Sequence, residues 1–124
     1  MVRILLTKPT HDCHDRGVRY LARRFRDESF EVVFTNFLLP AEIVATAVQE
    51  DVDVIGLSIL SGAHNTLCPQ LMSLLHEKGM NDVTVVLGGI IPQADIPALK
   101  QAGIAEIFLP GTSTQDIVDR KSVV

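Results

Sequence analysis

Only two cysteines occur in this chain of 124 residues, Cys13 and Cys68, and they form no spaced framework of the kind that staples a small secreted domain. No charged-then-apolar leader precedes the first strand-like run, so a cytoplasmic, reducing location is expected. No apolar run approaches the roughly 20 residues needed to cross a bilayer, which argues against a membrane segment. Positive charge is also in short supply, with eleven Lys and Arg against fifteen Asp and Glu and a formal net charge of -4. The one basic cluster, Arg19, Arg23, Arg24 and Arg26, falls on a stretch that reads as the solvated face of a helix, so a nucleic-acid partner is not expected. Repeats, low-complexity segments and interdomain linkers are lacking as well. What remains is 47% hydrophobic and 21% charged, and its length suits one globular domain over residues 1–124.

Five short apolar runs alternate with helical periodicities. Val2–Thr7, ended by Pro9, reads as a strand buried on both faces, and Val18, Leu21, Ala22 and Phe25 recur at helical spacing after it. Phe30–Phe34 is strand-like, and Pro40 suits the first turn of a helix carrying Ile43, Val44, Ala47 and Val48. Val54–Ser58 precedes a helix with Leu67, Leu71, Leu74 and Leu75 on one face and Gly79 near its end. Val83–Leu87 runs into Gly88-Gly89, after which Ile96 and Leu99 face inward until the chain turns at Gly103. Glu106–Leu109 makes a fifth strand, and Ser113 or Thr114 caps a last helix with Ile117 and Val118. This alternation predicts an α/β fold, a doubly wound five-stranded parallel sheet covered by helices on both faces. Ligands of such sheets bind beyond the carboxyl ends of the strands, where strand order reverses.

The loop at that edge after the first strand is dense in chemistry: Lys8-Pro9-Thr10-His11-Asp12-Cys13-His14-Asp15-Arg16-Gly17. Asp12 or Asp15 would serve equally as a helix cap, and that reading stays open beside a functional one. A zinc site is disfavored, because consecutive residues aim poorly at one tetrahedral center and no second Cys or His pair sits at the usual spacing. His14 with Asp12 two positions earlier suits a single metal bond instead, with the carboxylate orienting the ring and raising its basicity. Gly88-Gly89 alone could be a turn, and Ser58 alone a satisfied strand-end hydroxyl.

Asp12-x-His14-x-x-Gly17 resembles the D-x-H-x-x-G signature of the cobalamin-binding domain of methylmalonyl-CoA mutase, its acyl-CoA mutase relatives, glutamate mutase and methionine synthase. Ser58-x-Leu60 after strand three and Gly88-Gly89 after strand four match the further S-x-L and G-G motifs in order and place. The resemblance implies a base-off, His-on cofactor: His14 would bind cobalt from below, Asp12 would hold its other ring nitrogen, and Lys8 would extend that relay. It further implies that Gly17 lets the first helix approach the nucleotide tail, with Arg16 beside it, that Ser58 bonds the displaced base with Leu60 nearby, and that Gly88 and Gly89 make room for the tail. Gly111-Thr112 resembles an element that closes around the nucleotide.

Asp15-Arg16, Ser61-Gly62-Ala63-His64-Asn65-Thr66-Leu67 and Gly88-Gly89-Ile90-Ile91-Pro92 are most similar to the acyl-CoA mutases, while Cys13 is more similar to glutamate mutase. The implied protein is the small subunit of an adenosylcobalamin-dependent carbon-skeleton mutase such as methylmalonyl-CoA or 2-hydroxyisobutyryl-CoA mutase. It would form a hetero-oligomer with a large barrel subunit that carries the acyl-CoA, and be inactive alone. The alternatives are a glutamate mutase-type small subunit and a corrinoid methyl carrier, the latter disfavored because a strand beginning at Val2 leaves no room for a capping helical bundle. A phosphoreceiver domain would need an aspartate where Ser58 stands, and a flavodoxin a Ser/Thr/Gly-rich phosphate loop. His64 and His11 are left open between a ligand contact and a solvent-facing position.

Overall fold

A computed structural model describes residues 2–9, 16–27, 30–59, 64–80, 82–89 and 91–108, with the backbone alone for Pro9 and residues 16–21. Its strands are β1 (Arg3–Pro9), β2 (Glu31–Phe37), β3 (Val54–Ile59), β4 (Thr84–Gly89) and β5 (Glu106–Phe108). Between them run α1 (Arg16–Asp27), α2 (Pro40–Glu50), α3 (His64–Glu77) and α4 (Ile96–Gln101), the last preceded by a 3-10 turn over Gln93–Asp95. All strand pairs are parallel, in the order β2-β1-β3-β4-β5. The expected doubly wound sheet is therefore present, and its order reverses between β1 and β3.

The strands are nearly continuous in apolar residues because helices cover both faces. Ile4, Leu6, Val54, Val86 and Phe108 pack with Ala22 and Phe25 of α1 on one side. Leu5, Ile55, Leu57 and Leu87 pack on the other with Ile43 and Val44 of α2, Leu71 and Leu75 of α3, and Leu99 of α4. Each such Leu or Ile, when fully buried, contributes about 2 kcal/mol of transfer free energy. α2 starts where Pro40 suggested, and Glu42 fastens its entry by accepting hydrogen bonds from the backbone N–H groups of Leu38 (2.6 Å) and Leu39 (2.8 Å). Those two bonds hold the Glu42 carboxyl below the usual carboxylate range.

Three boundaries differ from expectation by two residues or more. β1 continues through Pro9, pairing Lys8 with Asn36 and Pro9 with Phe37. Its register with β3 stops at Thr7–Leu57, so the missing N–H of Pro9 falls beyond that ladder and costs it nothing. β2 likewise runs three residues past Phe34, because its polar end still has β1 to pair with. The third difference concerns Gly88 and Gly89, which belong to β4 rather than to a turn, pairing with Ser58 and Ile59. The last helix, with its caps Ser113 and Thr114, lies outside the described residues.

Gly89 is required by the backbone itself. Its φ is +136°, and a Cβ built there would stand 2.1 Å from the carbonyl oxygen of Ile59. Gly89→Ala is expected to cost about 3 kcal/mol or more of stability with or without any ligand, read as a lowered melting temperature of the free chain. An unchanged melting temperature would show that the backbone at the end of β4 relaxes freely.

Candidate functional site at the carboxyl edge of the sheet

Side chains alternate along a strand, so residues two apart share a face. Leu6 and Val86 look toward α1, with Gly56 between them in register. Two residues further toward the carboxyl ends, the same face carries Lys8, Ser58 and Gly88. The ladder pairs Asn36 with Lys8, Ser58 with Gly88, and Gly88 with Phe108, and Lys8 and Ser58 stand one step beyond the paired Thr7 and Leu57. One row across the sheet thus reads Asn36, Lys8, Ser58, Gly88, Phe108, at the point where strand order reverses. Asn36 and Phe108 escaped the sequence reading because only the register puts them beside the motif residues.

This row differs from the one beneath it. A Cβ on Gly56 would stand 2.7 Å from Cδ2 of Leu6, so the deeper row is filled. Among the described residues, a Cβ on Gly88 would meet only the carbonyl oxygens of Leu57 and Phe108, both at an ordinary 3.8 Å. A side chain is tolerated at that backbone position, and its absence leaves a cradle there among the described residues. Lys8 borders it with only 5% of its surface exposed. An ammonium is not left in such a place without interactions, and Lys8 has one. Ser58 is half-buried beside it. On the other face Thr35 donates its hydroxyl to that of Thr7 at 3.0 Å, fixing the adjoining ends of β1 and β2.

A second polar feature sits at the same edge. His64, the first residue of α3, is 3% exposed, which corrects the solvent-facing alternative. The signal was present in the sequence: His64, Leu67, Cys68, Leu71 and Leu75 lie on one helical stripe, and all five are buried. Its Nε2 lies 2.9 Å from Oδ2 of Asp95, in the turn before α4, while its Nδ1 is buried with no hydrogen-bond partner among the described residues. The hydrogen bond from His64, and secondarily one from Asn65, holds the Asp95 carboxyl below the usual range. No sequence motif marked Asp95. Cys68, one turn along α3, is fully buried, and burial pushes its thiol up to about 11, which makes it a packing residue rather than a nucleophile.

Of the motif residues, Lys8, Ser58, Gly88 and Gly89 are placed at this edge, and Arg16 with Gly17 opens α1, the helix that follows β1. Asp12, His14, Leu60, Gly111 and Thr112 lie outside the described residues, as do His11 and Cys13. Among the described residues no helix is long and apolar enough to cross a membrane.

Doubly wound sheets of this kind serve several unrelated functions, so the fold narrows the class without choosing within it. Residues 2–119 match the B12 binding domain family. The chain belongs to that family. It is 43% identical over 119 residues to the 2-hydroxyisobutanoyl-CoA mutase small subunit of Aquincola tertiaricarbonis, covering 95% of this chain and 88% of that one. It is 42% identical to the pivalyl-CoA mutase small subunit of Xanthobacter autotrophicus, covering 95% and 80%. The methylmalonyl-CoA mutase of Cereibacter sphaeroides is 45% identical over 112 residues, and there the chain spans 90% of itself but only 16% of the relative's length. Among solved structures, a cobalamin-binding protein from Desulfitobacterium hafniense superposes with a TM-score of 0.81 at 20% identity, over 98% of this chain and 58% of that one. A Francisella response regulator receiver domain reaches 0.74 at 11% identity, over 99% and 95%, which shows the same fold and no more.

The family implies a corrinoid, and two observations at this edge fit one. The Gly88 position leaves room for a group that runs against the strand backbone, and Nδ1 of His64, without a partner among the described residues, is free to take a polar one.

Proposed function

We propose that this chain is the cobalamin-binding small subunit of an adenosylcobalamin-dependent acyl-CoA mutase, a single domain over residues 1–124 that works in the cytoplasm. The observation that carries the reading is the row Lys8-Ser58-Gly88 at the switch point of a chain that matches small mutase subunits over nearly its whole length. When bound, the cofactor supplies the hard chemistry, homolytic cleavage of its cobalt–carbon bond. The protein supplies binding, orientation and a lower ligand.

In this reading His14 ligates cobalt through one imidazole nitrogen, and Asp12 accepts the hydrogen bond of the other, fixing ring orientation and tautomer. Lys8, buried at the end of β1, places a positive charge where it steadies the Asp12 carboxylate. Ser58 offers its hydroxyl to the displaced base, with Leu60 packing beside it. Arg16 and Gly17 open α1 against the tail, Gly88 clears its path, and Gly111-Thr112 closes over it. Gly89 is assigned to the same wall, although the backbone alone already demands glycine there.

The substrate site is assigned to a large barrel subunit that holds the acyl-CoA, joined to this chain as a hetero-oligomer. Leu38 and Leu39, 69% and 64% exposed directly after β2, supply apolar surface on the same edge and support that placement. Turnover of a branched acyl-CoA is expected only when this chain, its large subunit and adenosylcobalamin are combined, with no turnover by either subunit alone. Copurification from the native host with a methyltransferase and methylcobalamin, in place of a large mutase subunit, would overturn the proposal.

A further inference from the structure

The His64–Asp95 pair joins the segments that follow β3 and β4, both at the edge that carries the cradle. Asp95, held ionized by its hydrogen bonds, can only accept, so the shared proton sits on Nε2 of His64. In the neutral ring this leaves a lone pair on Nδ1. That nitrogen is buried and has no partner among the described residues, and native proteins keep few such atoms without a use. Packing alone does not account for it, since an apolar side chain on the stripe of Leu67, Leu71 and Leu75 would fill the place without stranding a polar atom. A buried nitrogen is reached by a group that enters the domain, not by a protein that docks on its surface.

We infer that Nδ1 of His64 is a hydrogen-bond acceptor for the bound corrinoid, taking an N–H or O–H from an amide or sugar hydroxyl of the cofactor, with Asp95 as the positioning residue. The inference rests on the cobalamin reading above. It gives the site a polarity: an acceptor held in this way welcomes amides and hydroxyls and repels a carboxylate, so a corrinoid with an amide hydrolyzed at that position would be rejected.

The test uses the full chain with 15N-labeled histidine, titrated with diamagnetic Co(III) cobalamin and followed by NMR and visible absorption. The Nδ1 resonance of His64 is expected to move as cobalamin binds. His64→Gln, whose amide nitrogen replaces Nε2 and still donates to Asp95, is expected to keep its melting temperature and bind about five- to tenfold more weakly, the effect of one hydrogen bond. The same displacement with cobinamide, which lacks the nucleotide, assigns the donor to a ring amide, and displacement by cobalamin alone assigns it to the ribose. Either an unmoved Nδ1 resonance in the corrinoid complex or an unchanged affinity of the variant overturns the inference, and the wild-type resonance decides alone if the variant does not fold. A visible spectrum that never changes on adding cobalamin defeats the underlying cofactor reading instead.

Discussion

Replacing Gly88 by leucine is expected to abolish cobalamin binding while the chain stays folded. The backbone at Gly88 tolerates a side chain, since a Cβ there sits 3.8 Å from its nearest described neighbors. The rest of a leucine would project into the cradle beside Lys8 and Ser58, the space assigned to the nucleotide tail. Unlike a flexible surface side chain, it could not swing aside, because the sheet confines it from below and Phe108 stands next to it in the row. A loss of at least about a hundredfold in affinity, about 3 kcal/mol, is expected from equilibrium titration by visible absorption. Gly88→Ala, which fills only the first carbon of that space, should bind more weakly than the wild type but measurably. Gly89→Ala makes the contrast, because it damages the fold first and binding only as a consequence. Tight binding by the Gly88→Leu chain, with an unaltered melting curve, would place the cofactor elsewhere.

The second large effect is expected at His14. Removing a carboxylate behind a metal-bound histidine typically costs about 10- to 100-fold in metal affinity or activity, so loss of the histidine itself should cost more. His14→Ala is expected to lower mutase turnover of the assembled enzyme by at least about a hundredfold, with its thermal unfolding close to wild type. Free imidazole, small enough to enter the space left behind, is expected to restore part of the activity. Asp12→Ala should fall between the two, since the ring remains but loses the bond that aims it. Unimpaired turnover by His14→Ala would remove this residue from the site.

Much of this arrangement could be read from residues alone, because each signal is local. The parallel sheet follows from strand runs that are apolar at every position, as in Val54-Ile55-Gly56-Leu57, and α2 follows from Pro40 and the stripe Ile43, Val44, Ala47. What the sequence did not reveal depends on register. Nothing local says that β4 continues through Gly88-Gly89, since two glycines ordinarily signal a turn. Only pairing with Ser58 and Ile59 keeps them in the sheet. The pairing also separates two glycines that look alike in the sequence, one clearing space for a ligand and the other dictated by a positive φ. Asp95 was invisible for a similar reason: its partner His64 is 31 residues away, and the start of α3 meets the turn before α4 only after the sheet has formed. His64 itself is legible from its helical stripe with Leu67, Cys68, Leu71 and Leu75, which outweighs its place at a helix start.

An imidazole from the segment between β1 and α1 is expected to reach cobalt at this edge. An electron paramagnetic resonance spectrum of the Co(II) form, recorded with 14N-histidine and again with 15N-histidine in the protein, addresses it directly. The predicted result is a superhyperfine splitting that changes from triplets to doublets on labeling and vanishes in His14→Ala. A splitting indifferent to the label would mean that the nitrogen on cobalt belongs to the cofactor's own base, and His14 would have no place on the metal.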